Sequence, residues 1–262
     1  MPCDPRPHHA PCCVLRRVTS ETVMTEPSRL SKRVAELARC SRADADLYIE
    51  GGWVSVDGKV IEAPQHPVTD ECIEIDPDAV LETPEPATML LHKPAGVDPA
   101  NVKAIASLVT PTSRWAEDPS GIRQLQNHFI RLTPLVPLDR EASGVMVLTQ
   151  NGRVWRRLTE DADQIEHEYI VEVSGEIGPY GLRRLNEGLS YQGRELLPCK
   201  VSWQNEFRLR FAIRAVRPGQ IADMCAQVGL QVTAMRRLRI GRIPLGKLPV
   251  GEWRYLPVGE KF

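Results

Sequence analysis

Apolar residues recur every three to four positions in SRLSKRVAELARC, at Leu30, Val34, Leu37 and Ala38, which predicts a short amphipathic helix. The next stretch, SRADADLYIEGG, supplies Ser41 as an N-cap, Asp44 three positions on, and Gly51-Gly52 as a stop. WVSVDGKVIE then alternates at Val54 and Val56 and, past an Asp57-Gly58 turn, at Val60, the signature of a hairpin. ECIEID adds another short strand. Two helices and a hairpin make a unit over residues 28–76, near the lower size limit for independent folding.

Beyond it, PDAVLETPEPAT carries three prolines and three acids and reads as a linker over residues 77–87. A second unit over 88–262 has strands predicted at 88–92, 145–149, 168–173, 197–201 and 207–213. Helices are predicted at 153–160, 179–187 and 220–228. Residues 98–134 are proline-rich and read as loops around one short helix. Strands outnumber helices without regular alternation, so the class is α+β with a mixed, mainly antiparallel sheet.

Charge changes this picture only once it is located. The net formal charge of −1 hides segregation, because residues 199–254 hold eleven Lys/Arg against three acids. Residues 70–85 are acidic and contain no Lys or Arg. A neutral chain with a basic face points to a polyanionic partner, or to a solvated basic surface. The first helix carries Arg29, Lys32, Arg33 and Arg39 off its apolar stripe.

Seven cysteines without framework spacing suggest reduced thiols in a cytoplasm, and no apolar run approaches the length of a membrane span. Residues 1–27, rich in Pro, Cys and His, lack periodicity and are expected to form a disordered tail. The HH and CC pairs there lack the one-turn spacing usual among zinc ligands, so no metal is expected.

In VPLDREASGVMVLTQNG, Asp139 stands between a proline-containing approach and an apolar run starting at Val145. Local sequence alone leaves two readings for it, a turn residue or a carboxylate poised for nucleophilic or base chemistry.

Residues 28–76, with the pattern SR-AD followed by spaced Ile, Gly, Val, Val and Gly, resemble the alpha-L RNA-binding domain. That resemblance implies that Arg29, Lys32, Arg33, Arg39 and Arg42 face RNA. The ordered blocks LHKPAGV, PLDREASGVMVLTQNG, HEYIVEV, LPCKV, GQIADMCAQVGLQV, MRRLRIGRIPLG and LPVGEWRYL resemble the RsuA-like pseudouridine synthases, especially the RluF-type branch. The resemblance implies a cofactor-free and metal-free isomerase that detaches uracil from its ribose, turns it, and rejoins it through carbon. It makes Asp139 the catalytic aspartate, Tyr169 the ring that stacks on the target base, and Ile213 the aliphatic residue beneath that base. Arg236, Arg237 and Arg239 are expected to meet RNA phosphates, with a solvated strand edge as the competing reading. The implied partner is structured RNA, ribosomal before transfer RNA, met by a monomer.

The chain also departs from the pattern. Pro137 stands where the family has an arginine that enters the RNA helix, and Ala222 and Asp223 stand where it has two more. The first of that pair normally faces the catalytic carboxylate, so Arg140 and Arg217 become the candidate donors to Asp139. Retention of Asp139, Tyr169 and Ile213 favours a working synthase. The three replacements favour an RNA-binding protein on the same scaffold, such as a ribosome assembly factor.

Overall fold

The computed structural model describes residues 27–262; the expected tail and its HH and CC pairs at residues 1–26 lie outside them. The N-terminal unit opens with α1 (Leu30–Ala38) and α2 (Arg42–Glu50). The capping box forms as the sequence predicts, with Ser41 Oγ accepting from the Asp44 N–H and the Asp44 carboxylate accepting from the Ser41 N–H. The hairpin β1 (Val54–Val56) and β2 (Lys59–Val60) turns at Asp57-Gly58, and β3 (Ile73–Ile75) pairs with β1 on its other side. Leu30, Val34, Ala45, Ile49, Val54, Val56 and Val68 fill a core of their own.

Apart from two short pairs, Ser28–Arg29 with Pro67–Val68 and Ser190–Tyr191 with Arg194–Glu195, the remaining strands form one nine-stranded sheet. Its principal members are β4 (Thr88–Lys93), β5 (Ala142–Thr149), β6 (Glu166–Gly175), β7 (Lys200–Asn205), β8 (Arg208–Arg214), β9 (Leu230–Ile240) and β10 (Trp253–Tyr255). Their order is β7-β8-β6-β9-β5-β4-β10, and the β9–β5 contact is the parallel one. The sheet is therefore two antiparallel halves joined at a parallel seam. The helices are α3 (Val102–Leu108), α4 (Gly152–Thr159), α5 (Gly181–Glu187) and α6 (Gln220–Gln227). The class is α+β, as expected.

Two strand expectations need correction. The strand expected at 197–201 begins only at Lys200, because Asn186 caps the approach by accepting from the Val201 N–H and donating to its carbonyl. The segment holding Arg236, Arg237 and Arg239 is no sheet edge. It is β9, paired along both sides near the middle of the sheet.

At the seam β9 and β5 approach so closely that Gly144, at φ +119°, has no room for a Cβ against the Arg237 backbone. The seam places the residues preceding β5 beside β6 and β9.

The N-terminal unit rests on the sheet domain through Arg123. Its guanidinium lies 3.8 Å from the centre of the Trp53 ring, donates to the Gly52 carbonyl at 2.8 Å, and pairs with Asp76 at 2.8 Å. The Gln126 N–H adds a bond to Glu62 at 2.7 Å.

Candidate active site

Asp139 ends the loop that feeds β5. Three residues earlier in that approach, Val136 has φ +50°, a left-handed conformation that a β-branched residue seldom adopts and that proline at the next position also disfavours. The conformation is held from below: Nη2 of Arg237 donates to the Val136 carbonyl at 2.6 Å. Leu138 is buried in the same core cluster as Tyr169, which anchors the loop from its apolar side. The Ala142 N–H donates to the Asp139 carbonyl, closing the turn into the strand.

The Asp139 carboxylate points across to the start of α6. Its Oδ1 accepts the Gly219 N–H at 2.8 Å. Gly219 is the residue before the helix and has φ +77°. A backbone donor at a helix N-terminus favours an anion there and fixes its direction.

Tyr169 lies on the buried face of β6. Its hydroxyl accepts from Nη1 of Arg237 at 3.3 Å, which leaves the phenol proton free to donate elsewhere. Asp139, Tyr169 and Arg217 line one cleft with Pro137, Pro218 and Met235. The cleft is narrow, about 10 Å³, enough for roughly one water. A pyrimidine does not fit without movement of the tyrosine or the 214–219 turn. Larger cavities exist elsewhere, but the chemistry of the lining, not volume, marks this site.

The other expected residues divide. Ile213 is buried in the cluster that contains Tyr169, behind the cleft lining rather than on it. Arg217 lines the cleft, and its own N–H bonds Gln220 Oε1. Arg140 turns away: its side chain is exposed, donates to the Gly96 carbonyl and sits 3.7 Å from Glu141. Ala222 is exposed on α6 and lies outside the cleft lining, and Asp223 accepts from Gln227.

Arg237 and Arg239 are corrections to the expectation of phosphate contact. Arg237 is 1% exposed and spends its donors on Val136, Val145 and Tyr169. Arg239 bridges Glu166 and Glu168 within the sheet. Burial between two partner strands removes Arg237 from phosphate reach, and its two ion pairs occupy the half-buried Arg239, whereas Arg236 is exposed. In the N-terminal unit Arg29, Lys32 and Arg42 line a common cleft of about 340 Å³. Arg33 pairs loosely with Glu36 at 3.6 Å, and Arg39 is exposed.

Sequence reasoning missed Lys93. It is fully buried, and its ammonium donates to the carbonyls of Pro94, Val97 and Arg140 at 2.8–3.1 Å. Burial lowers its pKa, while the nearby Glu141 and Asp139 charges act the other way. It therefore braces the peptide that follows Arg140, next to Asp139 in the chain. The signal in the sequence was a lysine at the end of an apolar strand run, just before Pro-Ala-Gly. Among the described residues no group of three potential metal ligands occurs.

Comparison with known proteins agrees with this architecture. Residues 87–208 match the family model of RNA pseudouridylate synthase. The chain is 29% identical over 241 residues to the dual-specificity RNA pseudouridine synthase RluF of Salmonella typhi, covering 91% of this chain and 79% of that protein. It is also 29% identical to ribosomal small subunit pseudouridine synthase A of Pseudomonas aeruginosa, over 88% and 98% of the two chains. A pseudouridylate synthase crystal structure shares the fold with TM-score 0.56 at 22% identity, over 87% of this chain and 95% of that one. The matched region contains both Asp139 and Tyr169, whereas Gly219 and Arg237 lie beyond it. The chain is thus similar to RNA pseudouridine synthases over most of its length, RluF among them.

Proposed function

We propose that the protein is an RNA pseudouridine synthase that isomerises a uridine in structured RNA, with ribosomal RNA as the substrate. Asp139 supplies the carboxylate of the reaction. Its Oδ1 is held by Gly219, which leaves Oδ2 for the sugar, either as nucleophile or as base. The bond from the ribose to N1 of uracil breaks, a bond to C5 forms, and the C5 proton is replaced by one on N1. Tyr169 faces the same cleft and presents a flat ring for the base and a phenol proton that Arg237 does not engage. Arg217 is the cleft's cation, available to a phosphate flanking the target.

The observation that carries this reading is the Gly219–Asp139 bond. It aims a carboxylate into the cleft that also holds Tyr169. The N-terminal unit, with Arg29, Lys32 and Arg42 around one cleft, serves as an RNA-binding module. A second reading, an RNA-binding protein without turnover, is favoured by Ala222, whose methyl side chain brings no guanidinium to Asp139.

Mapping pseudouridine in ribosomal RNA with and without the protein separates the two. A site that disappears without the protein, and that the Asp139→Asn variant fails to restore, supports the synthase. An unchanged map together with retained RNA binding supports the second reading.

A further inference from the structure

We infer that α4 and the turn beside it form a second RNA-contact surface, one that stacks an unpaired base on Trp155 and neutralises phosphates with Arg131, Arg153 and Arg156. The inference rests on the reading that this protein acts on RNA. Val154 and Leu158 turn the apolar side of α4 to the core, and this packing leaves Trp155 outside, 43% exposed. Its indole stacks on no other ring among the described residues. An aromatic of this size left at the surface is a platform for another flat group.

Its surroundings say which group. Trp155, Ile130 and Arg131 line a cleft of about 660 Å³. A second cleft, of about 620 Å³, holds Arg153 and Arg156 and shares Glu85, Pro86, Asn151 and Gly152 with the first. All three arginines are exposed, and none has an ion pair among the described residues. Neighbouring Arg157, by contrast, is tied to Asp161. Among the described residues Glu85 is the one carboxylate on either cleft wall, so three guanidinium groups outnumber it. Exposed indole beside unpaired guanidinium is the arrangement that holds single-stranded nucleic acid, bases on the ring and backbone on the cations. A protein partner with an acidic surface would meet the arginines but would not need a bare stacking face.

This surface is separate from the catalytic cleft. Asp139 precedes β5 and α4 follows it, so the eight residues of β5 set them about 27 Å apart. The RNA it holds therefore lies outside the target nucleotide's immediate neighbours, and the contact serves affinity for large RNA rather than the chemical step.

The test uses the full chain with a fluorescent twelve-nucleotide polyuridylate, followed by anisotropy, and a 4-thiouridine version of it for photo-crosslinking. Trp155→Ala is expected to weaken binding about tenfold. Arg153→Ala with Arg156→Ala is expected to weaken it and to make the slope of log K against log salt shallower by about 1.4. Crosslinks are expected at Trp155. On a short hairpin that carries the target uridine, Trp155→Ala is expected to turn over at the wild-type rate. Affinity within twofold of wild type in both variants, or crosslinks confined to the N-terminal unit and the Asp139 cleft, overturns the proposal while leaving the synthase reading intact. That pattern would also make a protein the better candidate for the patch. Failure of the RNA reading itself looks different: the unaltered chain binds no RNA at all, and both proposals fall together.

Discussion

The backbone N–H of Gly219 donates to Oδ1 of Asp139 at 2.8 Å, across 80 residues of sequence. A guanidinium in this role can adjust its reach, but a main-chain donor is only as well placed as its own backbone. Gly219 has φ +77°, and a Cβ there meets the Tyr191 hydroxyl at 2.9 Å. Gly219→Ala is therefore expected to shift the donor and to slow single-turnover pseudouridine formation by about tenfold to a hundredfold. RNA affinity should hold. A variant as fast as wild type would show that this bond does not orient the carboxylate.

Arg237 connects the two arms of the site by donating to both the Val136 carbonyl and the Tyr169 hydroxyl. Lysine keeps the charge but cannot span three acceptors. Arg237→Lys is expected to lower kcat about tenfold or more with KM little changed. If it acts through the phenol, combining it with Tyr169→Phe will cost less than the product of the single effects, by about fivefold, the usual size of coupling between touching groups. Independent effects in that cycle would confine Arg237 to the stability of the fold.

Pro137 has no cation to fill the gap left by an extruded base, and Ala222 brings none to Asp139. Turnover is expected to be slower on uridines embedded in a duplex than on unpaired ones. Installing Pro137→Arg with Ala222→Arg should raise the rate on the paired substrate, read as single-turnover kinetics on matched hairpin and single-stranded RNAs. Equal and fast wild-type rates on both would show that other residues already fill these roles.

Removing the N-terminal unit through residue 86 is expected to weaken RNA binding and flatten its salt dependence. The structure adds a consequence: the cut strips Arg123 of Gly52, Trp53 and Asp76. Arg123→Ala in the intact chain should loosen the unit, giving faster proteolysis between residues 77 and 87 without the full loss of affinity. Identical proteolysis of variant and wild type would mean that other contacts hold the two parts together.

His167 predicts a pH dependence. Its ring is buried beside Tyr169, Nδ1 has no partner, and burial first, then Arg237 and Arg239, pushes its pKa down to about 3. Below about pH 6.5 the unfolded chain takes up a proton on this ring, while the folded chain does not until about pH 3. Stability present above pH 6.5 is thus lost as pH falls, by about 2 kcal/mol at pH 5 from this residue alone. Burial shifts His92 and His128 in the same direction. Urea midpoints at pH 7.5 and 5 should differ less in His167→Gln than in wild type. An equal drop in both would place the effect on other groups.

How legible the molecule was in its sequence depended on how local each feature is. The Ser41 capping box and the Asp57-Gly58 hairpin involve residues at most a few positions apart, so spacing sufficed to read them. The apolar strands that become β4, β5, β6 and β8 showed in alternation or in runs, because each carries its burial pattern in its own residues. The Asp139 and Tyr169 blocks were legible for the same reason, as short ordered stretches.

What the sequence could not supply was the pairing of strands distant in the chain. Arg236, Arg237 and Arg239 look alike in MRRLRIG, yet the side chains of successive strand residues point to opposite faces. The parallel seam with β5 then decides that Arg237 is buried beneath the site while Arg236 is exposed. Lys93, Gly144 and Gly219 acquire their roles in the same way, from groups brought to them across 47, 93 and 80 residues. The sequence by itself showed the two N-terminal helices, the hairpin, the strands β4, β5, β6 and β8 and the carboxylate that stands before β5, but not the central strand β9. Only the tertiary structure decided which cations were left for RNA and which were buried beneath the site, because burial is a property of the neighbours a residue meets and not of its own side chain.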